Sequence, residues 1–479
     1  MLEFRYQKIS SKIFKFIITL FFCILLAAGC NGGGGGEGEE DTGTGETGDT
    51  GGTSDSGQWV MHEIKHIDDA EGLLVPQVSA KQGNDGDVRI AYFSDGTDYN
   101  GENRYVINYL TWDPAEDIIV SEEVLDPTPP ETGGEGLDNC NPMALALGNL
   151  DYPIIAYQGG YSRDQGPSAD DQSDVMFSIQ NGGVWEEYMG AMGYVPAWRG
   201  FLPDGLAGSD LSVAIDSQGY IHICYQFYYE GMDSMNFHPD LNYVRHNGNS
   251  LNNIIGDSQW AAIEETVYGN YYNDTHTMQT LRNVGFNCKL LLDDSNNPVV
   301  FFVEHTDIIS NAAYGLWFAR RESNGEWTRQ WVENVGRRWT IGDVSAAKDP
   351  EGNFAVAYSK VCQDCDDDEG DHLKYAVQSG NSWNVQVVDE SSICGHSPSL
   401  AFDSQGNPAI AYYDLQSHSG NDREYLKLAH LEGSSWISEI VTENDAFGHH
   451  NSLWFDSDDR PFICSYSEAE DDIAVFEKH

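Results

Sequence analysis

The chain has 479 residues, enough for one large or several small domains, and sets 25 Lys and Arg against 77 Asp and Glu for a formal net charge of −52. A body this acidic repels nucleic acid and anionic membrane surfaces, which excludes DNA and RNA as partners. Three sources of the acidity stay open: solubility, a saline habitat, or divalent cations held at acidic loops.

In chain order, the first element is a targeting segment. Arg5, Lys8, Lys12 and Lys15 precede the apolar run FIITLFFCILLAAG, which ends at Cys30. A basic start, a short apolar stretch and small residues before a cysteine make a secretory signal over residues 1–29. A short transmembrane anchor is the competing reading, but the run is brief for a full span. The segment LLAAGC resembles a bacterial lipobox, which implies a lipidated Cys30 as the mature N-terminus. Asn31 after it resembles an outer-membrane address, so the expected location is exported and lipid-anchored to the outer membrane, facing the cell surface or the periplasm.

Residues 30–57 are rich in Gly, Thr, Ser and acids. Such a stretch cannot bury apolar surface and reads as a flexible, self-repelling tether. Folded sequence then runs over 58–479.

That region is built on a repeated hairpin with an Asp- or Gly-led turn. Its copies are VSAKQGNDGDVRIAYF (78–93), MALALGNLDYPIIAYQ (143–158), LSVAIDSQGYIHICYQ (211–226), KLLLDDSNNPVVFFVE (289–304), VSAAKDPEGNFAVAYS (344–359), SLAFDSQGNPAIAYYD (399–414) and SLWFDSDDRPFICSYS (452–467). The turn column reads Gly83, Gly148, Asp216, Asp293, Asp349, Asp403 and Asp456, residue types that bond their own backbone or permit unusual backbone angles. A Ser column four residues earlier holds Ser79, Ser212, Ser345, Ser399 and Ser452, with Ala144 and Lys289 as departures. Each hairpin is followed by a polar loop, a third strand such as HLKYAVQSG, and a strand opened by Trp, as in NSWNVQVVDE. Four strands per unit, recurring every 54 residues late in the chain (Tyr358 to Tyr412), are the signature of a β-propeller.

The ends of the chain define the closure. The seventh unit stops after its third strand, DIAVFEKH, while GQWVMHEIKHID at 57–68 is an orphan strand of the fourth type. Pairing them removes an open edge. The fold class expected is therefore all-β: a seven-bladed β-propeller of four-stranded antiparallel blades, with the N-terminal strand at Trp59–Ile67 completing the last blade.

The D-S-x-G-x-P-x-I-A-Y hairpin resembles bacterial propellers of the sialidase-like, Asp-box or BNR-repeat type, over residues 57–479. The likeness to sialidases themselves is shallow. Their box places Ser, Asp, Gly and Trp around one turn, whereas SGNSW, EGSSW and SNGEW keep Gly and Trp without a fixed Ser-x-Asp. The resemblance implies an architecture rather than an inherited chemistry, because this fold hosts unrelated functions.

Ligands of this fold class bind where loops enter the first strand of each blade and join the second to the third. Such positions here include Gln77, Asn141, Asp210, Asn287, Asp343, His396, His449 and His450. Asp210, Asp343, His396, His449 and His450 are the candidate ligand-binding residues, able to hold a divalent cation or supply a base; a merely wet channel mouth is the competing reading. The loop KVCQDCDDDEGD places Asp364, Asp366 and Asp368 at alternate positions, which suits Ca²⁺. A solvated acidic face competes there, since Gly370 falls one position late for an EF-hand and no closing Glu is present.

Nine cysteines include Cys23 and Cys30. Of the other seven, Cys224 and Cys464 lie inside strands and read as buried thiols. Cys362, Cys365 and Cys394 fall on one face, as a disulfide clamp in an exported protein or, with His372, as a zinc site. Tyr161, Trp198, Phe201, Tyr228, Tyr229, Tyr271 and Tyr272 fall in long loops, where aromatics beside carboxylates suit carbohydrate or peptide recognition.

The function expected is a surface-anchored, non-enzymatic binding module for a glycan, peptide or protein, monomeric and touching the membrane only through its anchor. The alternative is an exported glycoside hydrolase on a sialidase-like ring, working through paired carboxylates. Sialidase activity itself needs an arginine cluster to grip the substrate carboxylate, whereas arginine is scarce here and no R-I-P-type motif stands near the first blade.

Overall fold

In a computed structural model of the chain, the described residues are 57–67, 77–97, 103–125, 143–148, 150–159, 174–191, 205–229, 238–246, 263–268, 283–306, 313–362, 371–391, 393–418, 421–443 and 446–479. They form seven four-stranded antiparallel sheets and no helix. Six blades are consecutive along the chain, at 78–125, 143–191, 205–268, 284–334, 339–389 and 393–443. The seventh takes three strands from 447–478 and its outermost strand, Trp59–His66, from the other end. The expected seven-bladed propeller, closed by its N-terminal strand, is the fold observed.

Closure is made with backbone bonds. Trp59 pairs with Lys478 and His66 with Asp472, with a bulge between Glu63 and Lys65. The ladder is extended by Ile67 N–H to the Asp471 carbonyl at 2.8 Å and His479 N–H to the Gln58 carbonyl at 3.1 Å. The innermost strands contact one another in sequence, and Val78–Gln82 of the first blade meets Phe447–Phe455 of the last, so the ring is shut.

Each hairpin turn is built locally. The carboxylates of Asp216, Asp293, Asp349, Asp403 and Asp456 each accept two backbone N–H bonds, from the second and fourth residues onward, at 2.8–2.9 Å. This is the side-chain mimicry of a backbone turn that favours Asp there. In the first blade Gly83 holds that column, and Asp85 bonds the Asp87 N–H instead.

The core is not central. Seven apolar clusters fill the seven seams between neighbouring blades, because each sheet is apolar on both faces and must be covered twice. Ile64 and Ile67 of the N-terminal strand join the seam between the last and first blades, and Trp59 packs into the seam before it. Fully burying one such aliphatic side chain is worth about 1.5–3 kcal/mol.

Two columns of the repeat act across seams. The Ser hydroxyl of one blade accepts a backbone N–H from the innermost strand of the next: Ser79 from Leu145, Ser212 from Leu290, Ser345 from Leu400, Ser399 from Leu453 and Ser452 from Ala80, at 2.8–3.4 Å. The Trp that opens a fourth strand donates its indole N–H to the fourth strand of the blade before it. Trp185 reaches Glu123 at 2.7 Å, Trp327 reaches Glu265 at 2.9 Å and Trp436 reaches Gln386 at 2.9 Å. Trp383 meets Gln330 in the same way, at 3.0 Å in the amide orientation that satisfies both groups.

The bond from Ser452 to Ala80 spans the closing seam. Ser452→Ala is expected to lower unfolding free energy by about 1 kcal/mol, the usual net worth of such a bond, read from the urea midpoint at unchanged slope. An unchanged midpoint would assign no stabilising role to this column.

Candidate functional site

The innermost strands begin with irregular segments at the end of the ring opposite the Asp turns. Their pairing with the second strand shifts register between Ala207 and Leu211, between Phe286 and Lys289, between Ile341 and Val344, between His396 and Ser399, and between His449 and Ser452. Bulges of this kind take residues out of the ladder and re-aim their side chains. Asn287, Ser397 and His450, two residues before the Ser column, have φ of 49°, 46° and 50°. For residues other than Gly that conformation costs roughly 1–2 kcal/mol each. Gly395 and Gly448, at φ 87° and 125°, allow the bulges to sit close to the neighbouring strand: a Cβ on Gly395 would come within 2.8 Å of the Leu373 Cα.

These irregular segments carry all five expected ligand residues: Asp210, Asp343 and His450 lie inside the bulges, while His396 and His449 pair with Tyr413 and Tyr466 between two register shifts. Asp210 and Asp343 sit two residues before their Ser, as does His450, while His396 and His449 sit three before theirs. All five are half-buried. The acids also bind the next blade: Asp343 Oδ2 accepts the Ser397 N–H at 2.8 Å, and the Asp210 carboxylate accepts the Asn287 N–H. Gln77, expected on this rim, does the same through Oε1, which accepts the Met143 N–H at 2.8 Å.

The electrostatics join residues from several blades. Burial pushes the Asp210 pKa up to about 6; Lys289 and the Asn287 N–H oppose the shift, and Asp343 adds to it. Burial holds His450 down at about 4, helped by His449 and Lys289 and opposed by Asp343. His449 is also lowered, chiefly by burial. At His396 burial again disfavours charge, but Asp371 at 3.1 Å and Asp343 outweigh it and raise the pKa. The rim thus holds one carboxyl that titrates at about 6 and two imidazoles in which burial disfavours the charged form. The ring of Tyr413 lies 4.5 Å from that of His449.

Asp371, Tyr413 and Lys289 were not singled out from the sequence. Lys289 was visible only as a break in the Ser column, and Tyr413 as a second Tyr after the repeated one. Asp371 sat unmarked among neighbouring acids. Among the described residues, no three His, Cys, Asp or Glu side chains are grouped to hold a metal ion. Asp364, Asp366 and Asp368 lie outside the described residues, as do Cys365, Asn141 and the aromatics Tyr161, Trp198, Phe201, Tyr271 and Tyr272.

The expected role of Cys394 needs correction. Cys362 is disulfide-bonded, but Cys394 is a free, buried thiol whose Sγ lies 3.4 Å from the carbonyl oxygens of both Asp371 and Asp389. Burial raises its pKa to about 12. It points into the seam between the fifth and sixth blades, so the clamp does not include it. The zinc alternative falls with it, because a bonded Cys362 has no thiolate to offer. Cys224 and Cys464 are buried free thiols, as expected.

No protein family and no curated protein matches this chain. Among solved structures, the polysaccharide lyase Uly1 aligns over 87% of this chain and 91% of its own, at 8% identity and a TM-score of 0.50. The α-L-arabinanase of Penicillium chrysogenum, solved with arabinobiose, aligns over 70% of this chain and 92% of its own, at 11% identity and a TM-score of 0.42. The NanB sialidase of Streptococcus pneumoniae covers 87% of this chain and 70% of its own, at 11% identity and a TM-score of 0.42. At such identities the likeness is one of fold.

Folding raises the Asp210 pKa from its ordinary 3.8 to about 6. Its contribution to stability is therefore fully present below pH 3.8 and is lost as pH rises through about 6. Asp210→Asn is expected to flatten the stability–pH curve across that window. In carboxyl carbon-13 titrations, Asp343→Asn should lower the Asp210 midpoint and Lys289→Met should raise it. An Asp210 midpoint near 4 that neither variant moves would show the rim groups to be independent.

Proposed function

We propose that this chain is an exported lipoprotein, anchored through Cys30, whose propeller binds a carbohydrate on the rim formed by Asp210, Asp343, His396, His449 and His450. The single observation that carries this reading is the convergence of those five residues, from four blades, into one electrostatically coupled set. Imidazoles held below their ordinary pKa by burial can both donate and accept hydrogen bonds, and carboxylates accept them. That mixture suits a polyol better than an apolar or strongly charged ligand. The same fold in a polysaccharide lyase supports a saccharide as ligand class.

A second reading is favoured by one observation. A carboxyl poised at about 6 and coupled to a second carboxylate is the pairing a glycoside hydrolase uses, with Asp210 as general acid and Asp343 as its partner. Asp343 spends one oxygen on the Ser397 N–H, which favours binding over turnover.

Glycan-array binding, run beside an assay for released reducing ends, separates the two. The binding reading expects retained glycans, no turnover, and at least a tenfold loss of affinity in His449→Ala, about 1.4 kcal/mol. Turnover abolished by Asp210→Asn would establish the hydrolase instead. Lipidation is tested separately by metabolic labelling with a fatty-acid analogue, which Cys30→Ser should abolish.

A further inference from the structure

We propose that Cys224 and Cys288 are a disulfide-forming pair that covalently joins the third blade to the fourth. Cys224 lies on the second strand of the third blade, Ile221–Tyr229, and Cys288 on the first strand of the fourth, Val284–Leu292. Both thiols are free and buried in the same seam cluster. The Cys288 thiol donates to the Cys224 carbonyl oxygen at 3.7 Å, and the Cys224 thiol is near enough to help raise the Cys288 pKa. The other free thiols are elsewhere: Cys394 is in the seam between the fifth and sixth blades, and Cys464 in that between the seventh and first. Among the described cysteines, each of the pair therefore has the other as its neighbour.

The seam is already registered around the pair. The Ser212 hydroxyl accepts the Leu290 N–H at 3.1 Å, and the Gln226 amide donates to the Val284 carbonyl at 3.0 Å. Strands held in this way keep the two cysteines adjacent across the seam, and a disulfide needs partners that are already adjacent. Cys288 also lies within a bulge, where the backbone has room to adjust.

Burial raises the Cys288 pKa well above that of an ordinary thiol, so thiolate is scarce once the seam has closed. The bond therefore forms while the fourth blade docks. One cysteine thiolate attacks a small-molecule disulfide such as oxidised glutathione, giving a mixed disulfide and one glutathione thiolate. The second cysteine, losing its proton, attacks the protein-side sulfur and expels the second glutathione. Two electrons pass from the cysteines to the glutathione sulfurs, and the protons end on the released thiols. Joining residues 64 apart in sequence restricts the unfolded chain and stabilises the ring. The staple would stand beside Asn287, whose N–H supports Asp210.

The full chain is unfolded, refolded with oxidised and reduced glutathione, alkylated, digested and mass-analysed without reduction. The expected result is a linked peptide pair carrying Cys224 and Cys288, with a thermal midpoint several degrees above that of the reduced protein. Because Cys362 is also disulfide-bonded, the reference is Cys224→Ala/Cys288→Ala, in which the effect of reductant on the midpoint should shrink. Should that double variant fail to fold, the peptide analysis of the unmutated chain still decides, since it needs no variant. Refolded protein with both cysteines alkylated, or either one linked elsewhere, overturns the proposal. Refolding in vitro makes this outcome independent of the export and ligand readings above.

Discussion

A blade of this protein is apolar on both faces, so it is stable only between two others, and the array has no stable end except a closed circle. That constraint orders everything else. Closure falls to the strand Trp59–His66, which adds backbone bonds to the carboxyl-terminal strand and carries Ile64 into the last seam. Without it, the seventh sheet would present an unpaired edge, and the cluster holding Phe462, Cys464 and Tyr466 would lose part of its cover.

The seams are held by three kinds of contact at three radii. Close to the axis, Ser hydroxyls accept backbone N–H groups of the next innermost strand. Between the sheets lie the apolar clusters. Near the outer edge, indole N–H groups and ion pairs cross from blade to blade. Lys374 and Tyr358, for example, both meet Glu333 of the preceding blade, as Lys427 and Tyr412 both meet Asp389. A half-buried carboxylate with a cation and a phenol as partners has its desolvation offset by those contacts.

The rim is a consequence of how the innermost strands start. In five of the blades bulges there release two or three residues from the sheet, and the repeat imposes no residue type on them. Asp210, Asn287, Asp343, Ser397 and His450 hold one structural column with four different side chains. The left-handed backbone of Asn287, Ser397 and His450 is strain of the sort found where geometry serves a site as well as a scaffold. Function resides in the departures from the repeat, and the scaffold resides in its invariants.

Read as sequence, the chain determined its strands, its blade count and its closure, because alternation, turn chemistry and period are local properties that survive without neighbours. The Asp turns, the Trp-led strands and the orphan strand before the first hairpin were all legible in this way. The Ser and Trp columns were visible too, but their purpose was not, since each acts on a neighbouring blade between 50 and 372 residues away. Only the tertiary structure decided that Cys394 is a free thiol buried in a seam and no part of the Cys362 disulfide. It alone brought Asp371 to His396 and Tyr413 to His449, and set Asp210 near 6. Those facts depend on burial and on distances between blades, and neither is written in the spacing of residues along one strand.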